Sequence, residues 1–247
     1  MEAINIKNIY KEYKDVIALN DVSFSVNEGE LFGLLGVNGA GKTTLIKILS
    51  GLTKKTKGEA KILGLDIDND MNEIKKIIDV SPQETSIAPN LTVLENLKFF
   101  ANIYGKYDEA FLNKIINVFD LNSYLNKTLK KLSGGYQRRV SIACALISKP
   151  KVLFLDEPTL GLDVISRREL WRIILKLKGK ITIILTTHYL EEIEALCDRI
   201  LIMSKGKVLS IGSIEEIKSS VSTNTLEEAF VKIVEGEDNE KNIDLFE

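Results

Sequence analysis

The chain of 247 residues contains only two cysteines, one histidine, one tryptophan and four prolines. Its cysteines, Cys144 and Cys197, form no Cys-x-x-Cys pair, which argues against a thiolate metal site and a disulfide framework. We expect both to be reduced residues packed in a core. No apolar run reaches the roughly 18 residues that a membrane-spanning helix needs, and the N-terminus has no signal-peptide core. We therefore expect a cytosolic chain that is soluble on its own.

A basic excess is also missing. The 33 Lys and Arg residues stand against 35 Asp and Glu, which gives a net charge of −2. Binding to nucleic acid normally needs a clustered basic face, so this balance argues against a nucleic-acid partner. Hydrophobic residues make up 45% of the chain, enough to bury a sizeable core as one large domain or a domain with a subdomain.

The segment 36–43, GVNGAGKT, fits the phosphate-loop pattern G-x-x-x-x-G-K-[ST]. An apolar run precedes it and KTTLIKILSG follows with helical spacing, so the sequence predicts a strand, a loop and a helix. Glycines let backbone N–H groups turn toward a phosphate, and the helix N-terminus adds a favourable dipole. In this pattern Lys42 reaches the β- and γ-phosphates and Thr43 binds Mg²⁺. The nucleotide-binding residues predicted here are Asn38, Gly39, Ala40, Gly41, Lys42, Thr43 and Thr44.

Two adjacent carboxylates, Asp156 and Glu157, follow the apolar run VLFL and precede Pro158. Neighbouring side chains of a strand point to opposite sides, so the two carboxylates should have different roles. His188 follows another apolar run, ITIIL. Ligand groups of α/β proteins collect at the carboxyl ends of strands, which favours a functional role for this histidine.

Strand and helix patterns alternate along much of the chain. Residues 4–6 and 22–26 alternate between apolar and polar, as half-buried strands do. Short apolar runs, typical of strands buried on both faces, occur at 77–80, 152–155, 181–185 and 200–203. The sequence predicts an α/β fold with a mainly parallel sheet and an antiparallel N-terminal β layer.

Between about residues 84 and 132 the pattern changes from strands to helices. Thr92 and Glu95 form a capping box that starts one helix. A second helix has one apolar stripe, formed by Leu112, Ile115, Ile116 and Phe119. The sequence predicts an inserted helical subdomain over about 84–132.

A further motif, LSGGYQ at 132–137, resembles the LSGGQ signature of the ATP-binding cassette (ABC) ATPases, with Tyr136 inserted. Motifs in the family's order extend the resemblance over about residues 2–215; Val37 departs from it, because many relatives have Pro there. The segments LFGLLG, NGAGKTT and TLEEAF look most like bacterial exporter ATPases that pair with separate membrane subunits. The resemblance implies a P-loop NTPase fold and an ATP hydrolase, with ATP and Mg²⁺ as its cofactors.

The resemblance also implies roles for single residues. Glu157 would polarise the attacking water, and Asp156 would bind Mg²⁺ through water. His188 would be the switch histidine at the γ-phosphate, and Lys42 and Gln83 would complete the catalytic group. A glutamine in a loop such as DVSPQE would otherwise be interpreted as solvated. The implied metal-binding residues are Thr43, Gln83 and Asp156.

Other implied residues act between subunits or at the base. Asp163 resembles an aspartate that communicates across a dimer, and a turn aspartate before a helix is the plainer interpretation. Tyr13 resembles the aromatic residue on which adenine stacks; Tyr10 is the rival candidate, and a packing role for Tyr13 stays open. The residues that would contact nucleotide held by a second subunit are Ser133, Gly134 and Gly135.

The resemblance therefore implies the ATP-hydrolysing motor subunit of a transporter that drives export. Its partners would be a second ATP-binding subunit, identical or different, and a permease on which the helical subdomain docks. The chain would lie at the cytoplasmic face of the cell membrane, held there by the permease. A soluble ABC ATPase of iron–sulfur assembly, or of another scaffold-bound process, has the same motifs and is the alternative. We expect the ATPase domain over 1–235 and a disordered acidic tail over 236–247.

Overall fold

The computed structural model describes residues 1–84, 86–105 and 107–239, which form two β-sheets with helices packed around them. The strands are β1 (Glu2–Tyr13), β2 (Val16–Asn27), β3 (Leu31–Gly36), β4 (Lys57–Ile62), β5 (Leu65–Asp66), β6 (Ile78–Ser81), β7 (Val152–Asp156), β8 (Thr182–Thr187), β9 (Arg199–Ser204) and β10 (Lys207–Gly212). The helices are α1 (Lys42–Leu49), α2 (Met71–Ile74), α3 (Val93–Ile103), α4 (Glu109–Val118), α5 (Gly134–Ile147), α6 (Val164–Leu177), α7 (Leu190–Leu196), α8 (Ile214–Ser220) and α9 (Leu226–Asn239). Two short 3₁₀ turns, Asn122–Tyr124 and Leu129–Lys131, lead from α4 to α5.

The smaller sheet is antiparallel, with strand order β2-β1-β4-β5. β1 and β2 pair so that Ile4 lies opposite Val26 and Ile6 opposite Phe24. These four side chains are buried, as the alternation of apolar and polar residues predicts. The predicted antiparallel N-terminal layer is confirmed.

The larger sheet has the order β10-β9-β3-β8-β7-β6, in which every pair is parallel except the edge pair β10 and β9. β3, β7 and β8 are buried along their whole length, as expected of parallel strands covered on both faces. The register sets Leu35 beside Thr187 and Asp156 beside Thr186. The carboxyl ends of these three strands therefore meet at one edge of the sheet.

Helix α1 lies between the two sheets and shares one apolar core with both. Leu45, Ile48 and Leu49 are buried there, close to residues of both sheets. Phe24 of the small sheet stacks on Phe32 of the large one, with ring centroids 5.5 Å apart. Full burial stabilises each such side chain by about 1.5–3 kcal/mol, so this core fixes α1 against the carboxyl edge of β3.

The other face of the large sheet is covered by α5 and α6, against which the predicted helical segment packs. The capping box of Thr92 and Glu95 is present at the start of α3. The predicted stripe of α4 is buried in the core that α5 shares, and comprises Leu112, Ile115, Ile116 and Phe119. One buried polar residue of α3 was not predicted: the Asn96 amide exchanges hydrogen bonds with Ala88 in the loop before the helix.

The remaining expectations concern the termini and the cysteines. Cys144 is buried and Cys197 half-buried, and both are free thiols. No helix within the described ranges is long and apolar enough to cross a membrane. Of the predicted acidic tail, residues 236–239 continue α9, and residues 240–247 lie outside the described residues. The boundary at residue 235 stays a prediction.

Candidate active site

The phosphate loop connects the end of β3 to the start of α1, as the sequence predicts. Gly39 and Gly41 have φ angles of +82° and +103°, which residues with a side chain rarely adopt. A Cβ at Gly41 would also lie 2.7 Å from the carbonyl oxygen of Ala18. Glycine at this position therefore allows the loop to turn beside β2 and present its backbone to the cleft.

Lys42 is the first residue of α1, and its side chain is 6% exposed. Its ammonium group donates a hydrogen bond of 2.6 Å to the carbonyl oxygen of Gly36 and lies 3.5 Å from Oε1 of Glu157. The side chain folds back over its own loop and reaches the carboxylate on the far side. This position lets the ammonium contact a phosphate held by the loop.

Asp156, the last residue of β7, lies beside the same loop. Its Oδ1 atom accepts hydrogen bonds from Thr43 Oγ1 at 3.3 Å and from Thr186 Oγ1 at 2.5 Å. The side chain of Asp156 is nearly buried, at 4% exposed. A hydroxyl and a carboxylate thus converge at the mouth of the phosphate loop, and both are oxygen ligands suited to a hard cation.

Glu157 follows the end of β7 and leaves the strand geometry. Its φ angle is +47°, a left-handed conformation that costs a residue with a side chain about 1–2 kcal/mol. Its N–H group donates to Thr186 Oγ1 at 3.0 Å and to the Thr186 carbonyl oxygen at 3.1 Å. The alternation rule for strands therefore does not set its direction, and its carboxylate lies beside Lys42 and 2.9 Å from His188 Nδ1.

Gln83 lies in the loop after β6, where its side chain is exposed and lines the same cleft. This loop is held by Arg138, for which the sequence contains no recognisable motif. The buried guanidinium of Arg138 donates to the carbonyl oxygens of Pro82 and Gln83, and also to those of Asp156 and Pro158. Burial lowers the pKa of Arg138 to about 10, against the opposing effect of Asp156, so it stays charged at neutral pH.

The cleft beside the phosphate loop has a volume of about 390 Å³. It is bordered on one side by Val16 and Ile17, at the start of β2. Tyr13 pairs with Val16 across the hairpin and is 44% exposed, with Lys11 Nζ 4.4 Å from its ring centroid. The further lining residues are Ala18, Asn38, Gly39, Ala40, Gly41, Lys42, Thr43, Thr44, Gln83, Glu157, Leu160 and His188. Tyr10 pairs with Lys57 in the middle of the sheet, so Tyr13 is the better placed of the two tyrosines.

The signature segment does not line this cleft in its own chain. Ser133 precedes the first residue of α5, is exposed, and makes no capping hydrogen bond within the described structure. Gly134 is exposed, whereas Gly135 is buried against α6, where a Cβ would lie 2.8 Å from Ser166. α5 continues without interruption through Tyr136, whose ring packs on Tyr124 with centroids 4.1 Å apart.

Asp163 caps the N-terminus of α6. Its Oδ1 atom accepts from the N–H groups of Ile165 and Ser166, each at 3.0 Å, and its Oδ2 atom from the Ser166 hydroxyl at 2.7 Å. These hydrogen bonds, first of all that from the Ser166 backbone, lower the pKa of Asp163. Within one chain, Asp163 is a turn aspartate before a helix, which is the plainer of the two interpretations. Its role between subunits stays a prediction.

These features define a phosphate-loop nucleotide-binding site: a glycine-rich loop, a lysine whose side chain folds back over that loop, and carboxylates at the carboxyl edge of a parallel sheet. A model of one particular family, described as ABC transporter, matches residues 19–160. The chain belongs to this family, and its two sheets and helices form the family's ATP-binding cassette.

Three similar proteins illustrate the match. The chain is 37% identical over 246 residues to a probable multidrug ABC transporter ATP-binding protein, YbhF, of Escherichia coli, covering 96% of this chain and 42% of that protein. It is 39% identical over 217 residues to Nod factor export ATP-binding protein I of Rhizobium etli, covering 86% and 68%. The dimeric structure of the ATP-binding cassette MJ0796 bound to ADP and Pi superposes with a TM-score of 0.76 at 27% identity, covering 85% and 98%. The chain thus spans less than half the length of the E. coli relative.

We expect separate roles for Lys42, which lines the cleft at the phosphate loop, and Tyr13, whose strand partner Val16 borders the cleft. Lys42→Ala removes the ammonium group from the phosphates, so we expect ATP hydrolysis to fall by about 10²–10³. Tyr13→Ala removes a stacking surface, which typically weakens binding by about 1–3 kcal/mol, or roughly a 5- to 150-fold rise in Kd. Equilibrium ATP binding and phosphate release measure the two effects, with Tyr10→Ala as the matched control. An unchanged ATP Kd in Tyr13→Ala together with a raised Kd in Tyr10→Ala would transfer the stacking role to Tyr10.

Proposed function

We propose that the chain binds ATP with Mg²⁺ and hydrolyses it, as the motor subunit of a transporter that exports its substrate through a separate permease. The observation that carries this proposal is the convergence of Lys42, the Thr43–Asp156 pair and the Glu157–His188 pair at the edge where β3, β7 and β8 end. Each group matches one requirement of phosphoryl transfer: charge neutralisation, a metal ligand and a base for water.

The residues at this edge fit Mg²⁺. Mg²⁺ in nucleotide sites is bound by one or two protein oxygens, substrate phosphates and waters rather than by a cage of protein ligands. Thr43 Oγ1 and Asp156 Oδ1, 3.3 Å apart, offer that kind of partial set. No cluster of three His, Cys, Asp or Glu side chains able to hold a metal occurs among the described residues. Thr43, Asp156 and Gln83 would hold Mg²⁺, which when bound neutralises charge on the β- and γ-phosphates.

Glu157 is positioned to activate the attacking water. Its carboxylate is 8% exposed and is held between Lys42 and His188. One oxygen of this carboxylate lies within hydrogen-bond distance of His188 Nδ1, at 2.9 Å. When phosphates occupy the loop, the Lys42 ammonium exchanges the Gly36 carbonyl for phosphate oxygens. Glu157 then keeps its histidine partner and turns its other oxygen toward water at the γ-phosphate.

A second ATP-binding subunit, identical or different, completes the proposed site. The exposed Ser133 hydroxyl and the N-terminus of α5 form a surface suited to an anion. This surface lies outside the cleft that the phosphate loop of the same chain borders. A similar cassette, MJ0796, is a dimer bound to ADP and Pi. We therefore propose that the exposed Ser133 and Gly134, together with the backbone of the buried Gly135, contact the nucleotide of the partner. Asp163 would lie at the interface between the subunits.

The permease is proposed to dock beside the helical segment. A cleft of about 370 Å³ lies between β6, α3 and α5, and is lined in part by Leu52, Phe100 and Tyr104. Leu52 is 71% exposed, and Phe99 and Ile103 of α3 are 50% and 60% exposed. Leu52 lines the cleft, and Phe99 and Ile103 lie on the same helix as its lining residue Phe100. Exposed apolar patches are typical of interaction sites. The similar proteins of E. coli and R. etli are named for multidrug transport and Nod factor export, which favours export and gives no support to iron–sulfur assembly. Docking would hold the chain at the cytoplasmic face of the membrane.

The first prediction of this function concerns Glu157→Gln. The amide keeps the shape of the carboxylate but cannot accept a proton, and loss of a general base typically costs about 10²–10⁴ in rate, or roughly 3–5 kcal/mol. We expect phosphate release to fall by this factor while the ATP Kd stays close to that of the wild type. Glu191→Gln, an exposed residue of α7, is the matched control. Hydrolysis by Glu157→Gln at the control's rate would refute the assigned role.

The second prediction concerns the dimer. In a symmetric dimer each interface contact occurs twice, so Ser133→Ala removes two charge-assisted hydrogen bonds of about 1.5–3 kcal/mol each. The association constant should fall by roughly 10²–10⁴. In a Glu157→Gln background with ATP, we expect size-exclusion chromatography to show a dimer, and a monomer at low micromolar concentration once Ser133→Ala is added. Ser123→Ala, an exposed serine of the helical segment, should leave the dimer intact. Equal dimerisation of all three variants would remove Ser133 from the interface.

The third prediction concerns the permease. Leu52→Glu places a charge in the exposed apolar cleft without disturbing a buried residue, so we expect it to prevent docking while ATP binding is kept. The tagged chain is expressed in its own host, extracted in detergent, and its associated membrane proteins are identified by mass spectrometry. Leu175→Glu, an exposed leucine of α6 outside this cleft, should retain the same multi-span protein as the wild type. Retention by Leu52→Glu would place the docking surface elsewhere.

A further inference from the structure

Thr186 of β8 occupies a position that no motif identifies. Its side chain is fully buried, and the strand register places it directly beside Asp156. Its hydroxyl donates to Asp156 Oδ1 at 2.5 Å and accepts from the Glu157 N–H group at 3.0 Å. A hydroxyl has one hydrogen to donate and lone pairs to accept with, so a single side chain satisfies both contacts at once.

We infer that Thr186 is a positioning residue of the ATPase site: its hydroxyl sets the orientation of the Mg²⁺-binding carboxylate of Asp156 and supports the left-handed turn that aims Glu157. This inference rests on the proposed function and adds to it a fully buried residue that is not among those lining the cleft. It acts through the carboxylate of Asp156, the last residue of β7, and through the backbone of Glu157, the residue that follows.

The contacts of the two carboxylates show which effect should dominate. Asp156 Oδ1 has the Thr43 hydroxyl at 3.3 Å as its other side-chain partner, a weaker contact than the one with Thr186. Loss of the Thr186 hydroxyl therefore releases Asp156 to rotate about its side-chain bonds. The Glu157 N–H group keeps the carbonyl oxygen of Thr186 at 3.1 Å, so its backbone turn loses only part of its support. The main consequence should be a weakened metal site.

A second buried threonine on β8, Thr182, is a matched control that tests whether the Thr186 hydroxyl contributes only to packing. Thr182 is also buried, at 2% exposed, but lies at the opposite end of β8, where its hydroxyl accepts from the Gly29 N–H group at 3.0 Å. Thr→Val at either position replaces a buried hydroxyl with a methyl group of similar size. If β8 needs its hydroxyl groups only for folding, the two substitutions should have similar effects.

The experiment compares wild type, Thr186→Val, Thr186→Ser and Thr182→Val in the full chain. ATP hydrolysis is measured against Mg²⁺ concentration, and binding of a non-hydrolysable ATP analogue is measured with Mg²⁺ and with EDTA. For Thr186→Val we expect kcat to fall and the half-saturating Mg²⁺ concentration to rise, each by about 10- to 100-fold, as for other residues that orient a metal ligand. Binding in EDTA should stay within about twofold of the wild type, because the hydroxyl does not contact the nucleotide.

The other variants separate positioning from stability. Thr186→Ser keeps the hydroxyl and should restore the Mg²⁺ dependence, and Thr182→Val should match the wild type in Mg²⁺ dependence whatever its melting temperature. Thr186→Ala replaces Thr186→Val if the valine variant does not fold. A Thr186→Val protein with a lowered melting temperature but a wild-type Mg²⁺ dependence would overturn the inference. If the wild type itself does not hydrolyse ATP, the proposed function fails, and the binding measurements with Mg²⁺ and EDTA still decide whether Thr186 orients a metal ligand.

Discussion

The parallel pairing of β7 with β8 is the contact on which the site depends. Its register sets Asp156 beside Thr186, and the next residue, Glu157, turns back on the same threonine through its N–H group. One step farther along β8, Thr187 lies beside Leu35 of β3, the strand that leads into the phosphate loop. A shift of either register by one residue would turn these side chains to the other face of the sheet. Backbone hydrogen bonds therefore set the spacing between the phosphate loop, the proposed metal ligand Asp156 and the proposed base Glu157.

The site brings buried charges of both signs close together. Asp156 and Glu157 are 4% and 8% exposed, and Lys42, the cation nearest to Glu157, is 6% exposed and donates to a backbone carbonyl as well. Burying charges is unfavourable unless they are paired. Arg138, which is charged and 4% exposed, is a second cation close to Asp156, so the charges of the two carboxylates are balanced by Lys42 and Arg138 together. The proposed Mg²⁺ would add positive charge beside Asp156, and the phosphates of ATP would pair with Lys42.

Features that have a local pattern of residue types could be predicted from the sequence. Contacts that depend on strand register, or on residues far apart in the chain, could not. The phosphate loop, the capping box at Thr92 and the buried strand ends were all predictable, because each has a local pattern of residue types. Thr186 and Arg138 had no such pattern: each acts through contacts with residues far away in the chain, some 18 to 56 positions from Arg138. The strand rule was also insufficient for Glu157, because β7 ends one residue earlier and a left-handed turn follows.

A single chain holds the phosphate loop and the signature on separate surfaces, so the central claim is that two chains share each site. Mixing two inactive variants, Lys42→Ala and Ser133→Ala, tests this directly. In a mixed dimer one site combines both defects, and the other combines the intact loop of one chain with the intact signature of its partner. Shared sites predict that ATP hydrolysis appears on mixing, up to about a quarter of the wild-type level from random two-fold pairing. For an identical partner, mixing that restores no hydrolysis would contradict shared sites, because sites built within one chain stay inactive in every pairing.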